Sequence, residues 1–239
     1  MTRVRDSLVR SLQYRQVMTV SLLFATGAFL PVLTMTASIR KRLYCAAVQR
    51  EGHAMNVVDE ILAVFGKRGA GAYFGEPVSM TEHALQAAYF AQAAAPSLVV
   101  AALLHDVGHL VVPVPDDLAD WVEDARHEEI GGEWLARRFP PEVFEPVRLH
   151  VPAKRYLCAT HVHYFSKLSP ASVATLKLQG GPMSAAEVAQ FETERYHEDA
   201  VKVRQWDDQG KVPGLVTPKL EEYRARIEEA AAQRLGGRT

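Results

Sequence analysis

Apolar residues recur at helical spacing along most of the chain, and the strict apolar–polar alternation of a half-buried strand is nearly absent. Val57, Ile61, Leu62 and Phe65 fall on one face of a helix that ends at a loop from Gly66 to Gly75. Ser79 and Glu82 have capping-box spacing ahead of a helix predicted through Ala94. Pro96 and Ser97 open the next, which carries the apolar run Leu98 to Leu104. Further helices are predicted over Asp124 to Phe139, Glu142 to Leu149, Ala171 to Gln179, Ala185 to Glu194, Glu198 to Asp208 and Lys219 to Leu235. The pattern describes an all-α bundle of eight or nine helices.

Composition narrows the picture. At 239 residues and 48% hydrophobic, the chain is large enough to bury a substantial core as one ordinary globular domain. Its formal charge of -1 gives no bulk electrostatic reason to expect a nucleic-acid partner. Cys45 and Cys158 are too few and too far apart for a disulfide scaffold or a thiolate metal site, which suits a reducing, cytoplasmic setting.

The charge is uneven. Residues 1–54 hold eight basic residues against Asp6 and Glu51, a net of +6, and the remainder carries -7. Between Arg15 and Arg40 there is no charge, and Val17 to Ile39 is long enough for a bilayer core of ~30 Å at ~1.5 Å per residue. Thr19, Ser21, Thr26, Gly27, Pro31, Thr34, Thr36 and Ser38 dilute it, so membrane insertion is disfavoured. The segment reads as a dispensable extension, a translated upstream region with the native start at Met55, ahead of a membrane anchor or a targeting peptide. Residues 55–239 form the domain proper.

Candidate chemistry begins where the apolar helix ends, at Leu103-Leu104-His105-Asp106-Val107-Gly108-His109. An adjacent imidazole and carboxylate offer a nitrogen and a bridging oxygen to iron, manganese or zinc rather than copper. The doublet resembles the signature of HD-domain metalloproteins, which implies an HD-domain helical bundle around a buried metal site. Other candidate ligands fall on separate helices: His83, His127, His150 and Asp207. One ion needs only His83, His105, Asp106 and Asp207, so His127 and His150 argue for a dinuclear centre bridged by Asp106. His53, His161, His163 and His197 are left as solvated or structural, with His161 and His163 a weak rival pair.

From Val57 to Tyr223 the chain resembles the HD-domain mixed-valent di-iron oxygenases that cleave the carbon–phosphorus bond of hydroxylated aminoalkylphosphonates, distant relatives of inositol oxygenase. The motifs that carry the resemblance are Tyr73-Phe74-Gly75-Glu76 seven residues before His83, Ala101 to His109, His127-Glu128, His150 to Leu157, Leu178 to Met183, and Arg204-Gln205-Trp206-Asp207. Generic HD phosphohydrolases share only the His-Asp core. Between His109 and His127 the sequence follows no family pattern.

The resemblance implies two iron ions, one ferrous and one ferric, with O2 as cosubstrate. It implies cleavage of a 1-hydroxy-2-aminoethylphosphonate or its N-methylated form, releasing phosphate and glycine or a glycine derivative. Lys154, Arg204, Ser172, Thr175, Gln179 and His109 correspond to positions that hold the phosphonate. Glu76 would face the ammonium end, and Tyr73 corresponds to a residue that occupies an iron position until substrate displaces it. Trp121 or Tyr164 offers an aromatic surface to a methylated ammonium. The alternative is a metal-dependent phosphohydrolase, which needs the same metal ligands but gives Tyr73 and Glu76 no role.

Overall fold

A computed structural model of the protein describes residues 56–73, 75–111 and 126–236. The expectations for residues 1–54, His53 and Trp121 lie outside these residues. Among the described residues there are ten α-helices and two short 3-10 turns, and no strand beyond one isolated bridge between Ala72 and Ser79. The helices are α1 (Val57–Arg68), α2 (Met80–Phe90), α3 (Pro96–Leu104), α4 (Val107–Val111), α5 (His127–Ala136), α6 (Pro141–Thr160), α7 (Pro170–Leu178), α8 (Ala185–Phe191), α9 (His197–Gln209) and α10 (Arg224–Gly236). No helix among the described residues is long and apolar enough to cross a membrane.

The bundle is built around α3. Its residues from Ser97 to Leu104 are all buried, as expected of a helix that is apolar all round. α2, α6, α9 and α10 pack directly against it. The main core runs from Val58 and Ile61 of α1 through Val99, Leu103 and Leu104 to Leu135, Val143, Val147 and Ile227. A smaller cluster of Leu149, Ala153, Phe191 and Ala200 lies where α6, α8 and α9 meet.

The helix starts follow local chemistry. Asn56 accepts from the Val58 amide at 3.0 Å, and Ser79 with Glu82 forms the predicted capping box. Ser184 with Glu187 forms a second box at α8, and Ser169 caps α7 by accepting from the Ser172 amide.

Two elements differ from the sequence reading. The helix expected over Glu142 to Leu149 runs on to Thr160, through Pro146 and Pro152. Each proline removes one backbone donor, but the helix is packed along its length by α3, α5 and α9, and packing, more than propensity, holds most protein helices. The chain also restarts as α4 directly after the His105-Asp106 doublet. This short helix lies against α5 because Gly108 has no side chain. A β-carbon there would meet the His127 carbonyl oxygen at 2.0 Å, and Gly131 stands on the facing side.

Gly108→Ala therefore should force α4 and α5 apart. Overpacking of this kind costs about 1–3 kcal/mol, so the variant should melt several degrees below the wild type and hold metal less tightly in the half of the site that contains His127. Thermal unfolding and metal titration measure the two effects.

Candidate metal centre

Five helices or their ends deliver six side chains to one buried point. His83 comes from α2, His105 and Asp106 from the break between α3 and α4, His127 from the first position of α5, His150 from the middle of α6, and Asp207 from the last turn of α9. All six are buried. The structure thus brings together every candidate ligand named from the sequence.

Backbone carbonyls fix the orientation of three imidazoles. His83 donates from Nδ1 to the Gly210 carbonyl at 2.8 Å, His105 to Ala102 at 2.8 Å, and His150 to Val147 at 2.7 Å. A carbonyl can only accept, so each neutral ring carries its proton on Nδ1 and turns a bare Nε2 inward. The inward nitrogens then face one another in pairs: His83 and His105 at 3.0 Å, His127 and His150 at 3.2 Å. Lone pairs set this close repel unless a proton or a metal ion lies between them.

Asp106 stands between the pairs and divides its two oxygens. Oδ2 lies 3.5 Å from His83 Nε2 and 3.4 Å from His105 Nε2, whereas Oδ1 lies 3.2 Å from His127 Nε2 and 3.5 Å from His150 Nε2. Asp207 Oδ1 completes the first group at 3.4 Å from His83 Nε2. Donors about 2.1 Å from a shared ion stand roughly 3.0–3.4 Å apart, which is close to these separations. Two further facts fit a cation: Asp106 Oδ2 and Asp207 Oδ1 are buried with no hydrogen-bond partner, a costly arrangement for a carboxylate left alone. Two groups that could each hold a metal ion result, one of His83, His105 and Asp106 and one of Asp106, His127 and His150. The mix of imidazole and carboxylate suits iron, manganese or zinc.

The charges respond accordingly. Burial alone would raise the Asp106 carboxyl, but the histidines around it hold it well below the usual carboxylate range. Asp207 is likewise buried and held low, chiefly by the Arg204 guanidinium. Burial works against a charged His83, yet Asp106 and Asp207 outweigh it and push its pKa up to about 9. His150 has no such surplus of anions, and burial takes it down to about 4.

The other candidate residues gather around this centre in two groups. Tyr73 stacks on the His83 ring, with centroids 4.0 Å apart, and its phenol is raised well above its ordinary value by burial and by the Asp106 and Asp207 carboxylates. Glu76 follows on the same reverse turn, closed by the Glu76 amide donating to the Tyr73 carbonyl at 2.7 Å. Gly75, at the third position, has φ +79°, which glycine adopts without strain. On the other side, Lys154 is buried one turn after His150 and donates to Thr175 Oγ1 at 3.0 Å. Ser172 and Thr175 stand one turn apart on α7, and Gln179 at its end keeps a buried Oε1 without a hydrogen-bond partner. His109 stacks on His127 at 4.0 Å between centroids.

Arg204 is placed differently from a simple anion clamp. Its Nη1 lies 2.7 Å from Asp207 Oδ2, its Nη2 bonds Asp208, and its Nε donates to the Tyr164 hydroxyl at 3.0 Å. It holds one oxygen of the Asp207 carboxylate, whose other oxygen faces His83. Tyr164, offered by the sequence as an aromatic wall, is tied by its hydroxyl into the same network, where it also donates to Asp208.

Lys211 and Gln86 escaped the sequence reading, and Glu128 stood there only within a motif, with no role given to it. Lys211 donates to Ser172 Oγ at 2.9 Å and stands 3.5 Å from Glu76 and 3.9 Å from Asp207. Gln86 lies buried one turn after His83 and is bonded to the backbone of Val212. Glu128 brings Oε2 to 3.6 Å from His127 Nδ1. Spacing held the signal for two of them: Lys211 follows Asp207 by four residues, and Gln86 is a polar residue on the buried face that carries His83.

Residues 80–199 match the family model described as the HD domain. Among curated proteins, the chain is similar to the hydroxymethylphosphonate dioxygenase of Gimesia maris, with 45% identity over 160 residues, covering 66% of this chain and 80% of that one. It is also similar to the [1-hydroxy-2-(trimethylamino)ethyl]phosphonate dioxygenase (glycine-betaine-forming) of Leisingera caerulea, with 42% identity over 183 residues, covering 76% and 93%.

The two imidazole pairs should differ in how they take up metal. In protein stripped by a chelator, His83 holds its proton up to about pH 9, whereas His150 has lost its own above about pH 4. A metal entering the His83 group at pH 7.5 must therefore expel about one proton, and one entering the His150 group none on that account. Affinity in the His83 group should rise with pH until about 9. The raised pKa also means that the stripped protein gains stability from this proton below about pH 6.5 and loses it as pH rises through 9. Calorimetric metal titrations in buffers of different ionisation enthalpy count the protons directly.

Proposed function

The chain belongs to the HD-domain family, on its phosphonate-cleaving oxygenase branch, and from that premise we propose that it uses O2 to break the C–P bond of a 1-hydroxyalkylphosphonate. The substrate class is 1-hydroxy-2-aminoethylphosphonate or its N-methylated form, and the products are phosphate and glycine or a glycine derivative. The division of the Asp106 carboxylate between two imidazole pairs supports a two-metal site, and the observation that carries the oxygenase reading over hydrolysis is Tyr73 stacked on the His83 ring with Glu76 on the same turn.

In the proposal, His83, His105, Asp106 and Asp207 would hold one iron, and Asp106, His127 and His150 would hold the other. A ferrous–ferric pair would supply the activation of dioxygen. The rest is the work of the chain's own groups. The buried ammonium of Lys154 meets the phosphonate oxygens by charge-assisted hydrogen bonds, with Ser172, Thr175 and Gln179 adding neutral ones. His109 stands beside His127 as a further donor. Arg204 acts through Asp207, keeping that carboxylate turned to the metal while Asp208 and Tyr164 hold the guanidinium. Tyr73 covers the His83 side and yields its place when substrate enters. Glu76 faces the amine end. Together these groups would orient the hydroxyl-bearing carbon for reaction, and orientation of this kind lowers the barrier.

The test is anaerobic loading with ferrous iron, then exposure to air with 1-hydroxy-2-aminoethylphosphonate. One phosphate should appear per O2 consumed, and none without O2. Release of phosphate from simple phosphate esters under anaerobic conditions would instead indicate hydrolysis. Two variants separate metal from substrate. Asp106→Ala should lose both metal and turnover, since both ions share that carboxylate. Lys154→Ala should keep its metals while substrate binding weakens by about 2–3 kcal/mol, the scale of a hydrogen bond to a charged group. Metal analysis and KM measurements decide both.

A further inference from the structure

Glu76 is not an open carboxylate waiting for an ammonium. Its Oε1 accepts from the Ser169 hydroxyl and lies 3.5 Å from the Lys211 ammonium, with both side chains largely buried. The same ammonium donates to Ser172 Oγ at 2.9 Å, stands 3.9 Å from Asp207 Oδ1, and lies 5.8 Å from the centre of the Tyr73 ring. A protein cation thus occupies the position from which Glu76 would attract the amine of a substrate. Two ammonium groups sharing one buried carboxylate repel each other, and little water is at hand to screen them.

Lys211 is also held firmly in place. It lies just past the end of α9, in a segment gripped by two side chains of α2 that are one turn apart. His83 donates to the Gly210 carbonyl at 2.8 Å. Gln86, 1% exposed, donates to the Val212 carbonyl at 2.8 Å and accepts from the Val212 amide at 2.9 Å. This pair of bonds fixes the backbone on either side of Lys211. The hydrogen bonds of Gln86 go to the Val212 backbone, so its effect on the site runs through the segment it holds.

We propose that Lys211 is a specificity-determining residue, a resident rival to the substrate ammonium at Glu76, kept in register by the Gln86 clamp. The preference between amine-bearing and amine-free hydroxyphosphonates is then set by the distance from Lys211 to Glu76 rather than by the presence of Glu76 alone. The inference rests on the phosphonate reading of the site. It adds to that reading a residue and a direction: removing the lysine's charge favours the amine-bearing substrate.

The experiment measures binding, so it does not depend on turnover. Calorimetry on the metal-loaded full chain compares 2-aminoethylphosphonate with ethylphosphonate, which differ only in the amine. Lys211→Met should raise the affinity ratio of the first over the second by roughly 5- to 20-fold, the size expected when one nearby charge is removed from a partly buried site. Lys211→Gln gives the same readout should the methionine variant not fold. Lys211→Arg should keep the wild-type ratio. In a Glu76→Gln background the Lys211→Met change should move the ratio less than about twofold, because the contested carboxylate is gone. Gln86→Leu should shift the ratio in the same direction as Lys211→Met, with no direct contact to either ligand. A ratio unchanged in Lys211→Met or in Gln86→Leu overturns the proposal while leaving the phosphonate reading intact. If the wild type binds neither compound, the phosphonate reading fails and the proposal fails with it.

Discussion

One carboxylate facing four imidazole nitrogens in a dry interior is the constraint on which the rest of the structure depends. Asp106 cannot be satisfied by hydrogen bonds alone, because three of the rings around it have committed their protons to backbone carbonyls. What remains inward is a set of lone pairs and negative oxygens. Only positive charge relieves it, as bound metal or, in stripped protein, as a proton on His83. The surrounding helices are placed to deliver those groups: α3 supplies a rigid apolar axis, its end supplies the doublet, and α2, α5, α6 and α9 each contribute one further candidate ligand.

The outer groups answer the same problem. A concentration of buried anions at the centre needs balancing cations beyond the candidate ligands themselves. Arg204 provides one by gripping Asp207 and Asp208, and Lys211 provides another between Glu76 and Asp207. Lys154, from the other side, faces the hydroxyl-lined flank of α7. The site is therefore a layered arrangement in which charges alternate outward from the centre.

Much of this was legible in the sequence, for reasons that can be named. His105 and Asp106 stand out because polar residues rarely end a helix as apolar as α3 without a use. Ser79 and Glu82 announce the start of α2 because capping is decided within three residues. The run of α6 through Pro146 and Pro152 was not legible, since what sustains it is contact with helices distant in sequence. Lys211 and Gln86 were missed for a similar reason. Their roles are fixed by hydrogen bonds across 126 residues, between α2 and the segment after α9. Arg204 was found as a site residue, but a forked donor fits a carboxylate as well as a phosphonate, and only the fold shows Asp207 and Asp208 in its grasp.

Ser169 joins two parts of the site through a single oxygen. It accepts from the Ser172 amide at the start of α7 and donates to Glu76. Helix ends fray far faster than whole helices unfold, and each time the first turn of α7 opens, this oxygen loses the geometry that serves Glu76 as well. The Glu76 carboxylate and the helix bearing Ser172 and Thr175 thus share one contact. One hydroxyl thereby ties the setting of a carboxylate to the integrity of a helix start 93 residues further along the chain.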